Sequence, residues 1–257
     1  MRRINLICLL LVIISGTLQA KSPVLKFNVV FIGNSITHGS GLKNPITESA
    51  PTQAVNYLNT HGCSVQFANC GVGGSTTVDF LPSTNKLFPR VELAADSLYR
   101  KGVPLIFSVK LGTNDSAIKG PNGAPVLPEK YKENVQTIID ALQQRYPQAY
   151  IVLNCPIWYS PNTHNHSTYM EEGLARLQTY RPQLETLAKE NAPHVLMGDK
   201  KAFAFFKKNY LLYLNPEQGA SGTFYLHPNV SGAQKLGEFW AKVLIRYAKT
   251  ICTLDNK

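Results

Sequence analysis

Five short apolar runs recur along the 257-residue chain, each closed within two residues by glycine or asparagine, and helical periodicities fill the intervals between them. The runs cover residues 27–32, 64–69, 103–111, 149–153 and 194–197. The first and third are apolar and rich in branched and aromatic residues, as buried strands are, whereas 64–69 alternates. Apolar residues at helical spacing follow over about 50–59, 90–100, 129–144, 169–190 and 233–249; Pro182 in the fourth predicts a kink or break. Strand and helix alternate with connections short enough for βα units. That pattern predicts a parallel sheet with helices on both faces. It leaves strand order open, and no internal repeat or low-complexity tract interrupts it.

The first twenty residues stand apart. Met1-Arg2-Arg3 is basic, residues 6–14 are apolar, and small and polar residues lead to Ala20. This is the layout of a signal peptide over residues 1–20, leaving a single domain over 21–257. The apolar run is short for a membrane span, and no later run is long and apolar enough, so no stable membrane insertion is expected. The expected location is periplasmic or extracellular. Removal of Arg2 and Arg3 lowers the formal net charge from +10 to +8. The basic residues are scattered, and the densest pairs, Lys200-Lys201 and Lys207-Lys208, flank Phe203, Phe205 and Phe206 as on an amphipathic helix. With no recognition motif beside the charge, nucleic acid is not an expected partner. Cys63, Cys70, Cys155 and Cys252 remain in the mature chain, and their spacing does not reveal a pairing. Neither they nor the histidines have metal-ligand spacing, so no metal or cofactor is expected.

Chemistry gathers at the run ends. The first run stops at Gly33, and Asn34-Ser35-Ile36-Thr37-His38-Gly39 follows. Open α/β sheets bind ligands at the carboxyl ends of their strands, so the Ser35 hydroxyl stands where a nucleophile would be useful. Ser35 could equally cap the turn that follows. The Gly-x-Ser-x-Gly elbow of α/β-hydrolases is absent. After the second run, Gly71-Val72-Gly73-Gly74 could bring a backbone N–H close to a substrate; it lacks the spacing of a dinucleotide loop. The third run ends at Gly112-Thr113-Asn114-Asp115, where Asn114 could present an amide. Of six histidines, His227 in Leu226-His227-Pro228-Asn229, just before the last helix, is the best placed to act as a base.

Taken together these stretches resemble the SGNH (GDSL-like) hydrolase family. Gly33-Asn34-Ser35-Ile36-Thr37 is similar to the family's first block, with Asn34 in the place usually held by Asp. Residues 69–76 resemble the second block, Gly112-Thr113-Asn114-Asp115 the third, and His227-Pro228-Asn229 the fifth. The resemblance implies a three-layer α/β/α sandwich around a central, mostly parallel five-stranded sheet, flavodoxin-like in plan. It also implies Ser35 as nucleophile and His227 as general base. The oxyanion hole would use the Ser35 and Gly74 N–H groups and the Asn114 amide. One position departs from the pattern: the family's acid, three residues before the histidine, is Phe224 here. Either His227 works in a dyad, or a carboxylate arrives from elsewhere, with Asp199 and Glu217 as candidates by location, or the chain is a non-catalytic member.

The family acts on esters of sugars, lipids and small alcohols. Trp158, Tyr159, His164 and Tyr169 follow the fourth run and could form an aromatic wall for a sugar ring. No broad apolar lid is visible for a long acyl chain. The expected activity is therefore hydrolysis of O-acetyl esters on a small molecule or polysaccharide. A lipid or short-chain acyl esterase, or a carbohydrate-binding protein without turnover, are the alternatives.

Overall fold

The computed structural model describes residues 24–254; the expected signal peptide lies outside them. The first strand, β1 (Leu25–Gly33), is buried at every residue from Phe27 onward, which explains why that stretch is apolar but for Asn28. It leads into the one-turn helix α1 (Ser35–His38), then α2 (Pro45–Glu48) and α3 (Ala50–Thr60). Strand β2 (Cys63–Asn69), helix α4 (Phe88–Leu98), strand β3 (Leu105–Lys110), helix α5 (Pro128–Arg145) and strand β4 (Tyr150–Leu153) follow. A small hairpin, β5 (Thr163–His164) with β6 (Ser167–Thr168), precedes helix α6 (Met170–Glu190) and strand β7 (Val195–Met197). Helix α7 (Ala202–Tyr213) leads to a second hairpin, β8 (Leu214–Gly219) with β9 (Gly222–Pro228), and helix α8 (Val230–Leu254) follows it.

The main sheet has five strands in the order β2-β1-β3-β4-β7, and every neighbouring pair is parallel. Alternation along β1 sends its side chains to opposite layers. Phe31 points to one, where its ring stacks on that of Trp240 in α8 at 5.9 Å. Asn28 points to the other, where its amide donates to the Leu98 carbonyl of α4 at 2.7 Å. Tyr146, at the end of α5, packs on Phe107 in this second layer and donates to the Glu92 carbonyl of α4. Tyr131 of α5 stacks on Tyr180 of α6 at 4.0 Å. Trp240 and Phe31 are wholly buried, and each such side chain contributes about 2–3 kcal/mol through burial. The three-layer α/β/α sandwich is thus the architecture. The segment after β1 crosses on the α8 side and the helix after β3 on the other, so a crevice opens between the C-terminal ends of these strands.

Pro182 breaks nothing: α6 runs continuously through it. Pro182 and Gln178, whose carbonyl loses its helical donor there, both lie on the exposed face. Cys63 and Cys70 bracket β2, and both are buried, as is Cys155. Among the described residues no helix is long and apolar enough to cross a membrane.

Candidate active site

The turn after β1 resolves the double reading of Ser35. The cap of α1 is Asn34, whose side-chain oxygen accepts the Ile36 N–H at 3.2 Å. Asn34 thus does in this turn what an aspartate could do, and Ser35 keeps its hydroxyl for another partner. That partner is His227: Ser35 Oγ and His227 Nε2 are 2.9 Å apart. On the far side of the ring, Nδ1 lies 2.9 Å from both carboxylate oxygens of Glu217. A hydroxyl, an imidazole and a carboxylate therefore stand in line, contributed by a strand end and one hairpin.

The hairpin explains how an acid reaches a histidine that lacks one at the usual offset. In the β8–β9 pairing Glu217 lies directly opposite Phe224. Directly paired residues of antiparallel strands share a face. The carboxylate therefore occupies the side of the hairpin that an aspartate at position 224 would have used, approached from the neighbouring strand. Burial opposes the charge on Glu217, but the hydrogen bond and charge of His227, helped by His164, outweigh it and hold the carboxyl below its usual range. His164 Nε2 is 3.7 Å from Glu217 Oε1, and its Nδ1 lies 2.9 Å from the Gln218 carbonyl oxygen.

Asp199, the other candidate acid, is employed elsewhere. Its carboxylate accepts the N–H groups of Lys201 and Ala202, both at 3.0 Å, and so caps α7. Replacing Asp199 by Ala should cost about 1 kcal/mol of stability and leave turnover unchanged. Thermal unfolding beside a rate assay checks this; a large loss of rate would contradict the capping role.

The Gly74 loop is stitched to the end of β1. Cys70 donates to the Phe31 carbonyl at 2.8 Å and Val72 to that of Gly33 at 3.0 Å. Gly71 must be glycine for want of space, since a Cβ there would strike the backbone of Thr37 and His38. Gly74 has open space around it and needs glycine for its left-handed φ of +73°. The Asn114 amide nitrogen donates to the Ser75 carbonyl at 2.8 Å, and its oxygen accepts the Tyr169 hydroxyl at 2.9 Å. Asp115, wholly buried, joins the two loops: it accepts the Thr77 N–H at 2.8 Å, the Thr77 hydroxyl, and the Gly112 N–H at 3.1 Å. These ties hold Ser35, the Gly74 loop and Asn114 together around the crevice.

The expected aromatic wall is not there. Tyr159 is wholly buried, with its hydroxyl 2.9 Å from that of Ser116, and Tyr169 is 4 % exposed. Trp158 is also buried and packs on Tyr210. Only His164 of the four is partly exposed. Large rings in this segment fill the space behind the site because Phe224 is there to pack against: it meets Tyr159, His164 and Tyr169 with centroids 6.4, 5.2 and 5.5 Å away. The rim near His227 is polar, with Asn215 bonded to the Gly41 carbonyl at 3.3 Å. Among the described residues no cluster of histidine, cysteine and carboxylate could hold a metal ion.

A serine hydroxyl bonded to an imidazole that is itself bonded to a carboxylate, beside an amide and a glycine turn, is the constellation of the serine hydrolases. The chain belongs to the GDSL-like lipase/acylhydrolase family, which residues 31–235 match, and its members act on ester bonds. Among solved structures it is similar to a carbohydrate acetylesterase from Sinorhizobium meliloti, with a TM-score of 0.60 and 14% identity over 86% of this chain and 100% of that one. A member of the lipolytic G-D-S-L family from Veillonella parvula aligns with a TM-score of 0.58 and 15% identity over 86% and 99%. A two-domain esterase active on acetylated mannans gives 0.53 and 14% over 88% of this chain and 49% of that one. At these identities the likeness is one of fold. No curated protein matches the chain in sequence.

Proposed function

We propose that this protein is an exported serine esterase that removes O-acetyl groups from carbohydrate. The observation that carries the reading is the unbroken line from Ser35 Oγ through His227 to the Glu217 carboxylate. In this reaction Ser35 attacks the acyl carbon while His227 Nε2 takes the hydroxyl proton, and the resulting imidazolium is stabilised by Glu217. The tetrahedral oxyanion is met by the Ser35 and Gly74 N–H groups and by the Asn114 amide. Each such donor is typically worth ~10²–10³ in rate. His227 then delivers its proton to the departing sugar oxygen, leaving an acetyl–serine ester. Water, deprotonated by the same imidazole, releases acetate and restores Ser35.

The sugar half of the proposal draws its support from Asn215, a polar residue beside Gly41 and His227, and from two structural relatives, a carbohydrate acetylesterase and an esterase active on acetylated mannans. Acetate release from acetylated polysaccharide should exceed cleavage of long-chain acyl esters by at least about tenfold in kcat/KM, a difference of about 1.4 kcal/mol in transition-state binding. A preference for long acyl chains would replace the carbohydrate reading with the lipid one. Absence of hydrolysis of any small acetate would leave a carbohydrate-binding protein. The mass of the secreted chain, if shortened by its first twenty residues, supports the export part.

A further inference from the structure

The hydrogen-bond partners of Asn114 leave its amide only one workable orientation. Its nitrogen lies 2.8 Å from the Ser75 carbonyl oxygen. The flipped amide would set two oxygens face to face there, so the NH₂ group must be on that side. Its oxygen then faces the Tyr169 hydroxyl at 2.9 Å, and that hydroxyl must donate. One N–H of the amide is used by Ser75, which leaves the second for an oxyanion.

Tyr169 is itself held on two sides. Its ring stacks on Phe224 with centroids 5.5 Å apart and planes 22° apart, and it meets the Tyr159 ring edge-on at 5.1 Å. Burial pushes its hydroxyl up to about 12, so it keeps its proton wherever the protein would work. Phe224 stands directly opposite Glu217, and so the residue that fills the vacated acid position also braces the tyrosine.

We propose that Tyr169 is a positioning residue for the oxyanion hole, its O–H fixing the Asn114 amide so that one N–H points at the developing oxyanion. The inference rests on the esterase reading above. The amide without this donor is held at its nitrogen alone and can tilt about its last torsion, and the donor it aims would arrive at the transition state badly aligned. Tyr169 touches no reacting atom. Its effect must pass through Asn114.

A double-mutant cycle on hydrolysis of a small chromogenic acetate tests this. Tyr169→Phe should lower kcat about tenfold with KM nearly unchanged, a smaller loss than the ~10²–10³ expected for Asn114→Ala. In the Asn114→Ala background the same change should have almost no further effect, because the group it positions is gone. The acid limb of the pH–rate profile should not move, since Ser35, His227 and Glu217 are untouched. Thermal unfolding identifies a variant that has lost its fold. If so, Phe224→Leu, which removes the stacked ring and keeps the hydroxyl, should give a partial loss of kcat that also vanishes in the Asn114→Ala background. Losses that simply multiply in the double variant would overturn the proposal, as would a Tyr169→Phe enzyme as active as its parent. An inactive parent would instead sink the esterase reading on which it stands.

Discussion

Ser35→Ala should abolish hydrolysis of a small chromogenic acetate, with a fall in kcat/KM of at least ~10⁴. Among the described residues, Ser35 Oγ is the hydrogen-bond partner of His227 Nε2. The substitution removes a single oxygen from a nearly buried site, and its main cost to the fold is one hydrogen bond, about 1 kcal/mol. Loss of activity should therefore come with an almost unchanged thermal midpoint. A Ser35→Ala protein that hydrolysed acetate at the parent rate would end the mechanism as drawn.

Glu217→Gln should be the second most damaging change, slowing turnover by ~10²–10⁴. The amide oxygen can still accept from Nδ1, so the ring can keep its place. What is lost is the negative charge that stabilises the imidazolium as Ser35 gives up its proton. A loss of less than about tenfold would mean that Ser35 and His227 work as a dyad. The pH dependence follows from the same contact. Glu217 is held below the usual carboxylate range, so it is charged throughout the working range. No limb from Glu217 should therefore appear in the pH–rate profile across that range. The linkage to stability has a definite sign: a carboxyl whose folded value is depressed contributes stability above its unfolded value, about 4.3, and the contribution is lost as pH falls through the folded value. Glu217→Gln should remove that part of the acid sensitivity, which unfolding at pH 3 and pH 7 would reveal.

The parallel sheet was legible because its inner strands β1, β3 and β4 are buried on both faces, and a strand of that kind must be apolar at nearly every position. The turn at Ser35, the Gly74 loop, Asn114 and His227 were legible because each follows a strand end or precedes a helix that periodicity already located. The hairpins were not. β8 reads Leu-Asn-Pro-Glu-Gln-Gly, with a proline and few β-formers, and it exists because β9 pairs with it. The choice between Asp199 and Glu217 therefore could not be made locally: it depends on a cross-strand register in one case and a helix cap in the other. The register did leave one trace, a polar stretch and an aromatic-rich one, both of strand length, separated by Gly219-Ala220-Ser221-Gly222. Tyr169 misled for a related reason. The residues before it, 162–168, are all polar, yet Phe224 covers it from a segment far along the chain.

The base and its acid ride on one ribbon, ten residues apart, and the turn between Gly219 and Gly222 sets how the two legs of that ribbon slide past each other. Asn162 clasps this turn from outside, accepting the Ser221 N–H at 3.0 Å and donating to the Gly222 carbonyl at 3.2 Å. A slip of one residue would rotate the acid to the opposite face of the ribbon. The length of a four-residue bend thus acts as the gauge of the proton relay.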